Sequence, residues 1–138
     1  MSSISDAIQD KCLAFADRII KLNDYLLEQA ASPHHPSSIK HHTSRVPVHL
    51  QSVAALANQL LRSGTSIGAN NAEATSAISK ADFKSKSYIA LKEARESLYW
   101  LELLHRNNYL TDVQFNSLYA DCEELVKVFT HRCKKLDE

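Results

Sequence analysis

Apolar residues recur along this chain in steps of three and four, the spacing of one face of an α-helix. The pattern predicts four helices: Ser5 to Ala31, Val48 to about Ile78, Lys80 to Arg106, and the Thr111 cap to about Lys135. The first two apolar stripes are Ile8, Cys12, Phe15, Ile19, Leu22 and Leu26, then Val53, Leu56, Ala57, Leu60, Gly64, Ile67, Asn71, Ala74 and Ile78. The last two are Phe83, Ala90, Ala94, Leu98, Leu101 and Leu104, then Phe115, Leu118, Cys122, Leu125, Phe129 and Leu136.

Capping patterns mark the starts of the third and fourth helices. Ser79 and Asp82 resemble a capping box with Asp in place of the usual Glu or Gln, and Thr111 with Gln114 forms a second one. No strand pattern competes with the helices. The sequence therefore predicts an all-α fold, an antiparallel up-down-up-down four-helix bundle, in a single domain over residues 1–138.

The connection from Ser32 to Pro47 has no periodicity, and it holds all three prolines of the chain. Two histidine pairs, His34-His35 and His41-His42, could together bind zinc or nickel, since neutral imidazoles are good ligands. However, no cysteine or acid lies within this segment. A solvated loop is the favoured interpretation, and we expect no metal site.

Gly64 and Gly68 are the two glycines of the chain. A flexible or anion-cradling loop is one interpretation, but the Gly-Lys-Ser/Thr of a phosphate-binding loop is missing. A helix is the other, and it fits the apolar spacing on both sides. The helix places both glycines and Ala72 in one row, at a cost of roughly 1 kcal/mol for each glycine against alanine. The row predicts very close packing against another backbone.

Composition narrows the class of protein. The 138 residues are 44% hydrophobic and carry sixteen basic and sixteen acidic side chains, a balance that weighs against a dedicated nucleic-acid binder. Cys12, Cys122 and Cys133 form no C-x-x-C pair, which is typical of reduced core thiols. We find neither a signal pattern nor a membrane-length apolar run, so we expect a cytoplasmic protein with no membrane partner.

Glu102 and His105 have the Glu-x-x-His spacing of di-iron bundles. A di-iron site needs that motif twice together with two more inward glutamates, and this chain has it once. No histidine is spaced to activate a cysteine for nucleophilic catalysis. We therefore predict no catalytic residue, no metal and no cofactor, and a protein that is not an enzyme.

Charged residues are embedded in the second and third helices. Paired carboxylates there could do acid/base work, but an ion-pair network between helices or subunits is favoured. Lys92 and Glu96 are spaced as a pair within one helix, and we expect Arg62 to bond Glu93 or Glu96. The predicted network is Arg62, Glu73, Glu93, Arg95 and Glu96.

The third helix also has a basic segment. Between Lys80 and Arg95, five positive and two negative side chains leave a net charge of +3, with Tyr88 among them. An ordinary solvated face is one interpretation, and a nucleic-acid surface is the alternative. The nucleic-acid candidates are Lys80, Lys84, Lys86, Lys92 and Arg95.

The apolar surface of the third helix is wider than one stripe, because Tyr88, Leu91, Tyr99, Trp100 and Leu103 broaden it. Such a helix is either central in its bundle or buries a second face against another subunit. The candidates for close helix packing or subunit contact are Gly64, Gly68, Asn71, Tyr88, Tyr99 and Trp100.

Three segments resemble the sequence signature of four-helix-bundle proteins related to the reading frame in 23S rRNA intervening sequences. They are Gln59–Ala74, Ser79–Phe83 and Ile89–Leu104, with the motifs QLLRSGTSIGAN, SKADF and IALKEARES followed by YWLELL. The resemblance implies a bundle that assembles into rings, commonly homopentamers. Most members have no established activity, and distant relatives are accessory proteins whose basic surface contacts nucleic acid.

The chain departs from that signature at Asn71, where an aliphatic residue is usual, and at Ala74, where glycine is usual. Its Ser32–Pro47 connection is also longer. The small-residue face of the second helix, the wide apolar surface of the third helix and the family resemblance together predict a non-enzymatic homo-oligomeric scaffold or adaptor, a pentameric ring. The alternative is an RNA- or DNA-binding accessory protein that uses a basic patch on the assembled ring.

Overall fold

A computed structural model of the chain describes residues 3–31 and 48–138, and these ranges contain four α-helices and no strand. The helices are α1 (Ile4–Ala31), α2 (Val48–Thr75), α3 (Lys80–Arg106) and α4 (Asp112–Asp137). The all-α prediction is confirmed. The Ser32–Pro47 connection and its histidine pairs lie outside the described residues.

The second helix ends earlier than its apolar pattern predicts. α2 stops at Thr75, because the backbone N–H groups of Ser76 and Ala77 form turn bonds to carbonyls in the last turn of the helix. Ile78 follows the turn with 94% of its surface exposed. The assignment of Ile78 to the helix and its apolar stripe is therefore wrong.

Side-chain caps start the next two helices. The Ser79 hydroxyl accepts the N–H of Asp82 at 3.0 Å, while the Asp82 carboxylate accepts the N–H of Ile78 at 3.2 Å rather than that of Ser79. The second box is reciprocal: Thr111 accepts from the Gln114 N–H at 3.2 Å, and Gln114 accepts from the Thr111 N–H at 2.9 Å. These bonds satisfy N–H groups that the first helical turn leaves free.

All four helices contribute to one hydrophobic core. In the described part of the chain, each helix packs against its neighbour in sequence and α4 packs against α1, whereas the backbones of α1 and α3 do not approach each other closely. The largest fully buried apolar side chains are Phe15, Phe129, Ile19, Leu60, Ile67, Leu101, Leu104, Leu125 and Val53.

The contact between α2 and α3 is made by small residues as well as large ones. Ser63, Ser87 and Ser97 are fully buried, and the hydroxyls of Ser63 and Ser97 lie 2.8 Å apart. Leu98, which the predicted stripe of α3 uses, is only half-buried. Two facing serines allow closer helix packing than leucine would, and their mutual hydrogen bond offsets the cost of burying them.

The helical interpretation of the two glycines is confirmed. Both lie within α2 and face α1: a Cβ at Gly64 would come 3.2 Å from Cγ1 of Ile19, and one at Gly68 would come 3.1 Å from Cβ of Cys12. Glycine is thus favoured by close packing rather than by a turn. The neighbour that the row of glycines meets is α1 of the same chain.

Candidate functional site

A polar cluster takes one residue from each helix: Gln9, Asn71, Ser87 and Arg132. Arg132 Nη1 donates to Asn71 Oδ1 at 2.7 Å and to Ser87 Oγ at 3.5 Å. Asn71 Nδ2 donates to Gln9 Oε1 at 2.5 Å, and Gln9 Nε2 donates to the Gly68 carbonyl at 3.2 Å. We call these four side chains the four-helix polar cluster.

Two members of the cluster occupy positions at which the helical spacing predicts an apolar residue. Asn71 lies on the core face of α2 and is fully buried. Arg132 continues the three-four spacing of α4 between Phe129 and Leu136. This spacing indicates that Arg132 faces the core. However, a basic residue near a helix C-terminus is also explained by the helix dipole, so the spacing alone does not identify Arg132 as part of a cluster. Nothing in the sequence distinguishes Gln9 from any other polar residue.

Two aromatic rings hold the Arg132 guanidinium. Its central carbon lies 5.3 Å from the ring centroid of Phe83 and 5.0 Å from that of Phe129, within the range of cation–π attraction. Burial lowers the pKa of Arg132 from its ordinary value, while the nearby thiols of Cys12 and Cys133 act in the opposite direction. No carboxylate of residues 3–31 or 48–138 pairs with this guanidinium.

The three cysteines are free and buried in the core. Burial raises the pKa of Cys12 to about 11 and that of Cys122 to about 12. The Cys122 thiol also donates to the Ala94 carbonyl at 3.3 Å. Thiols of this kind stay protonated at neutral pH, which makes them poor nucleophiles.

A second charged cluster joins α2 to α3 at the edge of the core, where Glu93 is buried and Arg62 is about half exposed. Arg62 contacts both Glu93, with Nη1 and Oε2 at 3.3 Å, and Glu96. The Trp100 indole N–H also donates to Glu96, at 3.2 Å. Gln59 accepts from the Arg62 Nε at 3.4 Å. The Arg62 guanidinium therefore has two carboxylates and an amide as acceptors.

The other predicted members of the network lie elsewhere. Glu73 pairs with Lys86 at 2.6 Å rather than with Arg62. Lys92 and Arg95 are exposed, and neither has an ion pair within the described ranges. The pair within one helix between Lys92 and Glu96 does not form, because Glu96 faces α2.

The basic candidates of α3 divide into paired and unpaired groups. Lys84 pairs with Asp137 at 2.6 Å, and Lys86 is bonded to Glu73, which raises the pKa of Lys86. Lys80, Lys92 and Arg95 have no ion pair among the residues that the structure describes. The positive potential of this face is therefore smaller than the sequence count indicates.

Four exposed side chains follow one line on the outside of α3: Tyr88, Lys92, Arg95 and Tyr99, at helical spacing. We call this line the outer α3 stripe. The Tyr88 hydroxyl donates to Asp137, a bond that raises the pKa of the tyrosine. Trp100 is half-buried against the core, with its ring centroid 5.1 Å from that of Tyr99.

The di-iron spacing does not lead to a metal-binding cluster. Glu102 is exposed, and His105 Nε2 lies 2.7 Å from Asp112 Oδ1, with its ring stacked on Phe115 at 4.2 Å between centroids. Apart from the residues that the structure does not describe, no group of three or more His, Cys, Asp or Glu could hold a metal ion. None of the described helices is long and apolar enough to cross a membrane.

Four helices around one core, two of them in close contact through glycine, define a small all-α protein. The sequence model of the 23S rRNA-intervening sequence protein family matches residues 37–131. The chain therefore belongs to this family, as the resemblance of its second and third helices indicates.

A solved structure supports the same assignment. The chain is 39% identical to a protein with unknown function from the S23 ribosomal protein family of Bacteroides thetaiotaomicron VPI-5482, with a TM-score of 0.76. The match covers 94% of this chain and 97% of that one. Among curated proteins, none matches the chain.

Proposed function

We propose that this family member is a non-enzymatic, homo-oligomeric scaffold or adaptor of the cytoplasm, an antiparallel up-down-up-down four-helix bundle that assembles into a pentameric ring. The structural neighbour also has no known function. The absence of an activated nucleophile in the described residues favours a binding role over catalysis. The experiment that decides is a measurement of mass in solution.

Contacts between neighbouring helices support the antiparallel arrangement. Cys12, early in α1, meets Gly68 late in α2, while Ile19 meets the earlier Gly64. The ion pairs between α2 and α3 and the bonds between α3 and α4 follow the same reversed order. Short connections, such as those from α2 to α3 and from α3 to α4, produce this order in bundles.

The observation that carries the ring proposal is a pair of apolar surfaces on α1 and α3, two helices whose backbones are not in close contact. On α1, Leu13 and Ile20 are one heptad apart, with 53% and 45% of their surface exposed. On α3, Tyr99 is 54% exposed within the outer α3 stripe. Because different surfaces of one chain would meet, the contact is head-to-tail, and such a contact closes into a ring when the rotation between subunits closes.

Light scattering behind a sizing column tests the proposal. We expect a mass near five times 15.5 kDa for the unmodified chain. Ile20→Glu and Tyr99→Glu should each shift the mass toward one chain, because a carboxylate would be buried in the contact. Gln29→Glu, which adds the same charge at another exposed position of α1, should leave the mass unchanged. A wild-type mass of one chain at micromolar concentration would refute the ring.

The alternative function, binding of RNA or DNA, rests on the outer α3 stripe. Its two cations have no ion pair in the described residues; they could bind phosphates while its two tyrosines stack on bases, and a ring would repeat the stripe in every subunit. We would measure the shift of labelled RNA and DNA at low and high salt. Lys92→Glu with Arg95→Glu should abolish binding, whereas Lys21→Glu with Lys127→Glu should not. No shift by the wild type at low salt would exclude this function.

A further inference from the structure

A groove opens above the four-helix polar cluster, where α1 begins, α2 turns into α3 and α4 ends. Its volume is about 970 Å³. Its walls are largely apolar, and the side chains that define them are Ile4, Ile8, Ala77, Phe83, Val128 and Leu136. This volume is within the range of sites that bind small molecules.

Arg132 lines the groove with hydrogen-bond donors still free. The protein acceptors in the described ranges, Asn71 and Ser87, both bond Nη1. No fully buried side-chain nitrogen or oxygen in those ranges lacks a partner, so the unbonded Nε and Nη2 groups of Arg132 are at least partly accessible, on a side chain that lines the groove. Two N–H groups side by side on a guanidinium match the two oxygens of a carboxylate.

The guanidinium is fixed in place before any ligand arrives. Phe83 and Phe129 lie at 5.3 Å and 5.0 Å from its central carbon, and Asn71 anchors Nη1 on the side away from the free donors. Asn71 is itself held by Gln9. A donor pair that is already oriented loses little conformational entropy on binding, which favours affinity.

The charged side chains that line the groove are all basic. Arg132, Lys11 and Lys135 line it, and no Asp or Glu of the described residues does. Lys11 is paired with Glu124 of α4. Arg132 has no carboxylate partner in the described residues, so its charge is not compensated there. A half-buried cation on apolar walls attracts an anion more strongly than an exposed one, because water screens it less.

We propose that this groove binds an aliphatic carboxylate of medium chain length, with its head group on Arg132 and its hydrocarbon chain along the apolar walls. Asn71 acts as a positioning residue, since it orients Arg132 without touching the ligand.

Other occupants fit the groove less well. A peptide would bring many polar backbone groups against walls that are largely apolar, where each group left without a hydrogen bond is costly to bury. Free phosphate would use the guanidinium but leave the apolar walls in contact with water. One monovalent head group joined to an apolar chain satisfies both features.

The first test varies the ligand and leaves the protein unchanged. Isothermal titration should show that decanoate binds at least ten-fold more tightly than decanol or decyltrimethylammonium, and more tightly than hexanoate. The first two comparisons test the carboxylate, and the last one tests the apolar walls. Equal binding of decanoate and decanol, or no binding at millimolar concentration, would overturn the proposal.

The second test varies the protein. Arg132→Gln should weaken decanoate binding by about 10- to 100-fold, the usual range for lost hydrogen bonds to a charged group, with little effect on decanol. Arg132→Lys keeps the charge but not the pair of parallel N–H donors, so its affinity for decanoate should be intermediate. Arg18→Gln is the matched control, since Arg18 pairs with Asp121 outside the groove.

A third variant does not depend on the polar cluster and covers the case in which Arg132→Gln fails to fold. Ala77→Phe, in the turn between α2 and α3, should fill the groove and reduce binding of decanoate and decanol together. Unchanged binding by this variant would place the ligand elsewhere. Binding of a peptide through its C-terminal carboxylate, with no binding of decanoate, would point to a protein partner and also overturn the proposal. None of these outcomes depends on whether the chain forms a ring.

Discussion

Two arginines illustrate two ways in which this protein accommodates a positive charge. Arg62 lies at the surface with about half of its side chain exposed, between the carboxylates of Glu93 and Glu96. Arg132 is half-buried between two phenyl rings and is bonded only to an amide and a hydroxyl in the described residues. The charge of Arg62 is neutralised within the chain, whereas that of Arg132 is held in place but not neutralised.

Because of this difference, Arg62 serves only the stability of the fold, whereas Arg132 is also available to bind an anion. A partly exposed ion pair contributes modestly to folding, and its charges already compensate each other. A guanidinium held by neutral groups retains its full charge, and its burial is tolerated only while those hydrogen bonds are intact. The four-helix polar cluster is therefore both the more sensitive part of the fold and the better anion site.

The largest expected effect comes from removing the amide that holds Arg132. Asn71→Leu should lower the free energy of unfolding by about 2–3 kcal/mol, because a partly buried guanidinium loses its main acceptor. Adding Arg132→Met should recover most of that loss, since an aliphatic pair then fills the same space. Urea unfolding followed by circular dichroism measures both.

The double-mutant cycle is the control for this prediction. Asn71→Leu and Arg132→Met must be strongly non-additive if the two side chains act as a unit. Additive losses would mean that Asn71 stabilises the core by packing alone, and the contrast with Arg62 would then fail.

Alkaline pH gives a second way to probe the Arg132 region. Burial raises the pKa of Cys12 from 9.0 to about 11, although the charge of Arg132 opposes the rise. The native state therefore holds this proton more tightly than the unfolded chain, so the stabilisation is complete below pH 9.0 and is lost as pH rises through about 11. The loss from this thiol is on the order of 2 kcal/mol near the upper pH.

Cys12→Ala isolates that contribution. Its free energy of unfolding should fall less steeply between pH 9.0 and 11 than that of the wild type, whatever the absolute stabilities at neutral pH. Parallel pH profiles for the two proteins, measured by urea unfolding, would show that Cys12 titrates alike in both states.

Much of the fold was accessible from periodicity alone. The three-four spacing correctly placed Phe15, Ile19 and Leu60 in the core, since large apolar side chains have no better place than the shared interior. It misplaced Ile78, because an apolar residue next to a helix end continues the pattern even where the chain has already turned. Hydropathy does not report where the backbone leaves the helix.

Apolar spacing does not identify the buried positions that small polar or charged residues occupy. Ser87 and Ser97 are buried as completely as Leu101, yet a serine counts as polar whether it faces water or another helix. Arg132 follows the apolar register, but its bonds to Asn71 and Ser87 depend on three helices whose relative shifts are not visible in any one segment. A cluster with one residue from each helix becomes apparent only after the helices are packed.

The smallest expected effect belongs to Arg62. Arg62→Met should lower the free energy of unfolding by about 1 kcal/mol at low salt, because half of the Arg62 side chain is in water, while the buried Glu93 carboxylate loses one of its partners. This loss should shrink as sodium chloride is added, since mobile ions screen the same attraction, whereas the loss from Asn71→Leu should hardly change. Lys92→Met, at an exposed cation without an ion pair in the described residues, should have almost no effect at any salt concentration. Urea unfolding of these variants at several salt concentrations measures the difference between the two arginines directly, and equal salt dependence at Arg62 and Asn71 would contradict it.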